Sequence, residues 1–120
     1  MKRISLALTG IAMAAVTGLA GAADLEAGRA VFEKFNCASC HGADAKTSVD
    51  PSYPILAGQH EDYMAHSLRA YQRGQAGLPA TANVRKNAIM GAFAVQLSAE
   101  DINNVAAWLA SLPSELAVRR

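Results

Sequence analysis

The run Cys37-Ala38-Ser39-Cys40-His41 constrains this chain more than any other feature of its sequence. Two thiols three residues apart, with an imidazole directly after the second, can form a redox dithiol, part of a zinc site, or the attachment point of a haem. Each use requires different surroundings. A dithiol of the thioredoxin kind belongs beside a βαβ pattern and depends on a lowered thiol pKa. Zinc needs four ligands, normally in two pairs, and His60 and His66 do not form a second pair at finger spacing. The haem use engages all three residues. In a helical turn, thiols at i and i+3 project to one side, where they can bond the two vinyl groups, and the next imidazole can bind the iron. The chain has no further cysteine for a disulfide framework.

Lys2 and Arg3 open the chain, and an uncharged stretch rich in Ala, Gly, Ser and Thr follows from Ile4 to Ala23. A basic start, an apolar run and small residues before Asp24 predict a secretory signal peptide over residues 1–23, cleaved after Ala22 or Ala23. The stretch is long enough to be a retained anchor, but it is poor in Leu and Phe. Export to the periplasm suits the haem reading, since c-type haem is attached outside the cytoplasm in bacteria. Residues 24–120 are then one domain, small enough to gain from a covalent or metal staple. Without Lys2 and Arg3 it carries 9 of the 11 basic residues against 10 acidic ones, a net charge of −1. That balance, with no basic stripe interleaved with aromatics, excludes nucleic acid as an expected partner. Nothing after Asp24 reads as a membrane span.

Three stretches have helical periodicity, and none of useful length alternates as a strand would, so an all-α fold is expected. The first runs from about Leu25 to Asn36 behind Asp24 as N-cap, with Leu25, Gly28, Val31, Phe32 and Phe35 on one face. The second, about His60 to Arg73, turns Tyr63, Met64, Ser67, Leu68 and Tyr71 inward and stops at Gly74. The third opens on Ser98 as cap with Asp101 as the capping-box acid. It carries Ile102, Val105, Ala106, Leu109 and Leu112 on one face until Pro113 ends it. Two long connections, 42–59 and 74–97, remain; in so small a domain such loops serve function or wrap something.

If His41 binds one face of an iron, the other face is open to Met64, Met90, His60 or His66. Met64 falls on an inward stripe, where methionine is ordinary filler, and helical histidines more often face solvent. Met90 stands in the second long connection beside Gly91, which eases a close approach of backbone. Position alone leaves Met90 open between ligand and filler.

Three segments, AGRAVFEKFNCASCHGADA, YPILAGQHEDYMAHSLRAYQRG and IMGAFAVQLSAEDINNVAAWLASL, resemble the class I c-type cytochromes. The resemblance is greatest to small single-haem bacterial cytochromes and to each half of the tandem two-haem cytochromes of respiratory chains. It implies the class I cytochrome c fold, about three main helices plus long loops wrapped around one covalent haem c. By the same resemblance Cys37 and Cys40 are the thioether sites, His41 the proximal and Met90 the distal iron ligand. It implies as well that the carbonyl of Pro54 accepts from the ring N–H of His41 and that Leu56 and Tyr71 line the haem pocket. The resemblance also implies that Gly28 gives room for the indole of Trp108 where the first and last helices cross, and it leaves Arg73 and Gln59 open between reaching a haem propionate and lying on a solvated face. The chain departs from the pattern at Ala45, where relatives often have glycine, in a longer loop before Tyr53, and in the weakly charged QAGLPATAN.

The function so implied is that of a periplasmic one-electron carrier, not an enzyme, docking transiently with redox partner proteins at the haem edge. Histidine and thioether together leave no open iron site, and soft ligation with apolar burial raises the reduction potential. The alternatives are a cytochrome subunit of a periplasmic dehydrogenase complex and a ligand-binding haem with open iron.

Overall fold

The computed structural model describes residues 22–116. The expected signal peptide, residues 1–23, therefore lies outside the described residues except for Ala22 and Ala23. Five α-helices follow one another: α1 Leu25–Lys34, α2 Ala38–His41, α3 Glu61–Gln75, α4 Ala88–Ala94 and α5 Ala99–Ser111, with a 3-10 turn at Ala80–Ala82. No strand occurs among the described residues, and the fold is all-α as expected.

Local chemistry sets the helix ends. The Asp24 side chain accepts from the backbone N–H of Ala27, covering one of the free donors of the first turn of α1. The helix ends at Lys34, two residues before the periodicity does, because Asn36 turns the chain in the left-handed region at φ 55. At α5 the capping box is complete. Ser98 Oγ accepts from the Asp101 N–H at 3.0 Å, and the Asp101 carboxylate accepts from the Ser98 N–H at 2.9 Å.

Two expectations need correction. Gly74 does not stop the second helix, which continues to Gln75. Its missing side chain serves packing instead, since a Cβ there would run into the carbonyl oxygen of Arg85. Nor is the second connection loop throughout: Met90 lies within α4. Seven residues with Gly91 at their centre give too short a periodic pattern to read as a helix. What starts α4 is Asn87, whose Oδ1 accepts from the N–H groups of Ile89 and Met90.

Helices α1, α3 and α5 form the core, with Val31, Phe32, Met64, Ala65, Ile102, Val105, Ala106 and Leu109 buried together. Leu25, at the outer end of the α1 stripe, is 46% exposed instead of inward. Helices α1 and α5 meet at Gly28. A Cβ on Gly28 would overlap the carbonyl oxygen of Asn104 and stand 2.7 Å from Trp108 Cβ. The main chain of α5 thus demands this glycine more than the indole does. The indole packs farther along α1 against Phe32, with ring centroids 5.1 Å apart.

The first connection is pinned at both ends. Asp44 accepts from the N–H groups of Lys46 and Thr47 and from the Thr47 hydroxyl, closing a tight turn. The N–H groups of Leu56 and Ala57 both reach the Ala45 carbonyl, and the Gly58 N–H donates to Leu109 on α5. The chain is thereby returned across the end of α2 at Pro54.

Candidate functional site

Helix α1 delivers the chain into the cysteine motif, where the Cys37 N–H still bonds back to the Phe32 carbonyl. One helical turn then places Cys37, Cys40 and His41 on the wall of a single cavity of about 340 Å³. The volume lies in the range of small-molecule and cofactor sites. Both cysteines are free thiols and half-buried. Burial pushes the Cys37 thiol above its ordinary pKa, the reverse of what a reactive dithiol needs. Among the described residues no three His, Cys, Asp or Glu side chains are grouped to hold a metal ion.

His41 is the one buried imidazole among the described residues, 6% exposed. Its Nδ1 stands 3.1 Å from the carbonyl oxygen of Pro54. A carbonyl can only accept, so Nδ1 carries a proton, and in the neutral imidazole the lone pair is on Nε2. No protein group among the described residues pairs with Nε2, and it is not a sealed, unsatisfied atom. The ring is thus held in one tautomer, with its free lone pair turned away from Pro54.

The structure brings together every residue named above for the pocket: Cys37, Cys40, His41, Pro54, Leu56, Tyr71 and Met90 all line this cavity. Met64 lines it as well, but as a 5% exposed member of the core on α3. Met90 is half-buried on α4, outside that cluster. His60 and His66 do not line the cavity; His60 is at the exposed N-cap of α3, and His66 Nε2 accepts from the Asn83 side chain at 3.1 Å. Of the two residues considered for a propionate, Gln59 lines the cavity. Arg73 does not, because its guanidinium is committed to the Asn83 carbonyl at 2.7 and 3.2 Å.

Sequence reasoning passed over Arg85. It lines the cavity and donates to the Tyr63 hydroxyl at 2.9 Å. Its guanidinium stands 5.3 Å from the centre of the Tyr63 ring and 5.7 Å from that of Tyr71. Tyr63, expected inward, is 50% exposed and touches the cavity from its rim. The hydrogen bond from Arg85, with its charge, holds the Tyr63 hydroxyl below the ordinary tyrosine pKa. The only sequence signal for Arg85 is its place in the segment leading to Met90.

Residues 25–113 match the sequence model of the cytochrome c family. The chain is 34% identical, over 95% of its length, to the thiosulfate dehydrogenase electron acceptor of Stutzerimonas stutzeri (strain A1501), of which it covers 50%. It is 36% identical, over 80% of its length, to cytochrome c4 of Stutzerimonas stutzeri, covering 45% of that protein. To cytochrome c-554(547) of Halothiobacillus neapolitanus it is 33% identical over 76% of its length, covering 99%. The chain thus spans about half the length of the first two relatives and nearly all of the third.

Proposed function

The chain belongs to the cytochrome c family, and we propose that it is a one-electron carrier built on a covalently held haem c, with no enzymatic step of its own. The cavity fits that group. Its lining is mostly apolar, it offers two free thiols one helical turn apart, and beside them stands an imidazole with a free, oriented lone pair. When bound, the haem supplies an Fe(III)/Fe(II) couple.

The residues take distinct parts in this reading. Cys37 and Cys40 carry the thioether links. His41 presents Nε2 to the iron while Pro54 fixes its ring and raises its basicity. Met90, on the same cavity wall, would offer its thioether to the iron, which would keep small molecules out. Leu56 and Tyr71 exclude water from the cavity wall, and Arg85, a cation on that wall, opposes a further positive charge nearby. Apolar burial and a thioether ligand favour the ferrous state, which calls for a raised potential.

The observation that carries this reading is the His41–Pro54 hydrogen bond on a cavity shared with both thiols and Met90. Acid extraction of the denatured protein tests the attachment: haem stays with the wild-type polypeptide, and its complete release sinks the proposal. Met90→Ala abolishes the ferric methionine-to-iron charge-transfer band while Met64→Leu keeps it; the reverse result makes Met64 the ligand.

The leader read in residues 1–23 supports a periplasmic place of action, and among the described residues no helix is long and apolar enough to cross a membrane. The relative named as electron acceptor of thiosulfate dehydrogenase supports a dehydrogenase as the class of donor. Transient docking predicts that the purified protein elutes at its own mass. Co-elution with a dehydrogenase through purification makes it a permanent subunit instead.

A further inference from the structure

Helix α4, which carries Met90, has only seven residues, far below the length at which a helix is stable alone. Its place depends on what holds it. Its principal packing partner is α3, and the contact is polar as well as apolar. Gln72 on α3 extends its amide to the far end of α4, where Nε2 donates to the Ala94 carbonyl and to the Leu97 carbonyl, both at 2.9 Å. Both amide hydrogens are thereby used, and they cover acceptors at a helix end that has no basic residue in its last turn. One turn along α3, the Gln75 side chain lies against Gly91; a Cβ there would be 2.5 Å from Gln75 Oε1. At the near end Asn87 caps the helix. Three neutral amides thus hold the Met90 helix, and of these Gln72 ties α3 both to the last residue of α4 and to the turn that follows, whose Leu97 N–H also bonds back to Ala94 at 3.1 Å.

We propose that Gln72 is a positioning residue whose two hydrogen bonds keep α4 seated, and so set how often Met90 leaves the iron and admits a foreign ligand. This rests on the reading of Met90 as an iron ligand. Lifting α4 requires Gln72 to release the Ala94 and Leu97 carbonyls together, and Ala94 is fully buried. Loss of two such bonds raises the population of the lifted state by about tenfold or more.

The test is carbon monoxide uptake by the reduced holoprotein, followed from the Soret band, with helix content checked by circular dichroism. Gln72→Leu removes both donors and takes up carbon monoxide about tenfold faster than wild type at unchanged helix content. Gln72→Lys restores a donor of sufficient reach and stays within about twofold of wild type. Gln96→Leu, which removes an exposed amide bonded to Ala92 on α4 itself, leaves the rate unchanged. A wild-type rate for Gln72→Leu, or a Lys variant as fast as the Leu variant, overturns the proposal. If the leucine variant does not fold, Gln72→Ala takes its place with the same two outcomes. Met90→Ala separates this from the parent reading: if wild type takes up carbon monoxide as fast as Met90→Ala, Met90 does not close the iron, whatever Gln72 does.

Discussion

Arg85 donates a hydrogen bond across 2.9 Å to the hydroxyl of Tyr63, joining the segment that leads to Met90 to the exposed flank of α3. The same contact holds the Tyr63 hydroxyl below the ordinary tyrosine pKa, first by the hydrogen bond and then by charge. An ultraviolet titration of tyrosinate should therefore show one of the three tyrosines ionising ahead of the ordinary value of about 10. Arg85→Met returns that tyrosine toward the ordinary value. A lowered pKa in the folded state stabilises only the ionised form. The added stability is thus complete above the unfolded pKa, is lost as pH falls through the folded one, and is absent at neutrality. An unchanged titration in Arg85→Met would show that the contact does not persist in solution.

Gly28→Ala should be among the most destabilising single changes in the domain. Its methyl has nowhere to go, because what it meets is the main chain of Asn104 rather than a movable side chain. Overpacking against backbone costs about 3 kcal/mol, which in a domain of this size lowers Tm by about 10 °C or more. Thermal unfolding by circular dichroism measures it; a shift under about 3 °C would mean that α1 and α5 can separate without cost.

Asp44 accepts hydrogen bonds from the N–H groups of Thr47 and Lys46 and from the Thr47 hydroxyl, which hold its carboxyl down at about 2. Its folded pKa is depressed, so its contribution is present above the unfolded value and is lost as pH falls through the folded one. Denaturant unfolding of Asp44→Ala should show a constant deficit relative to wild type from pH 7 down to pH 4. The deficit should shrink between about 3.8 and about 2. A deficit that stays constant into that window would contradict the assignment.

Ala45 adopts φ 55, a left-handed conformation, and is completely buried. Replacing it by glycine relieves about 1 kcal/mol of steric cost. It also forfeits about 0.8 kcal/mol of methyl burial and adds backbone entropy to the unfolded chain. The terms oppose each other, so Ala45→Gly should change stability by less than about 1 kcal/mol in denaturant unfolding. The balance explains how this chain carries alanine where a glycine was expected.

What was legible in the sequence was local. Asp24, Ser98 and Asp101 cap helices through groups only a few residues away, and the stripe from Ile102 to Leu109 follows from helical period alone. The cysteine–histidine turn is likewise self-contained. What escaped reading depends on partners distant in sequence. Gly74 looked like a helix stop because nothing near it reveals the Arg85 carbonyl packed against it. Arg73 and Arg85 have the same chemistry, and only the fold decides that the first bonds Asn83 outside the cavity while the second lines it. Helix α4 was hidden because a seven-residue helix takes its stability from Asn87 and Gln72 rather than from its own pattern.

The acceptor that orients His41 belongs to the main chain of Pro54, and a main-chain oxygen cannot be deleted by substitution. What the site asks of the connection before Pro54 is its path, which the Asp44 turn and the Ala45 carbonyl fix. The contact is therefore lost by moving the main chain and not by trimming a side chain at position 54, so damage to it comes from residues that never touch the imidazole.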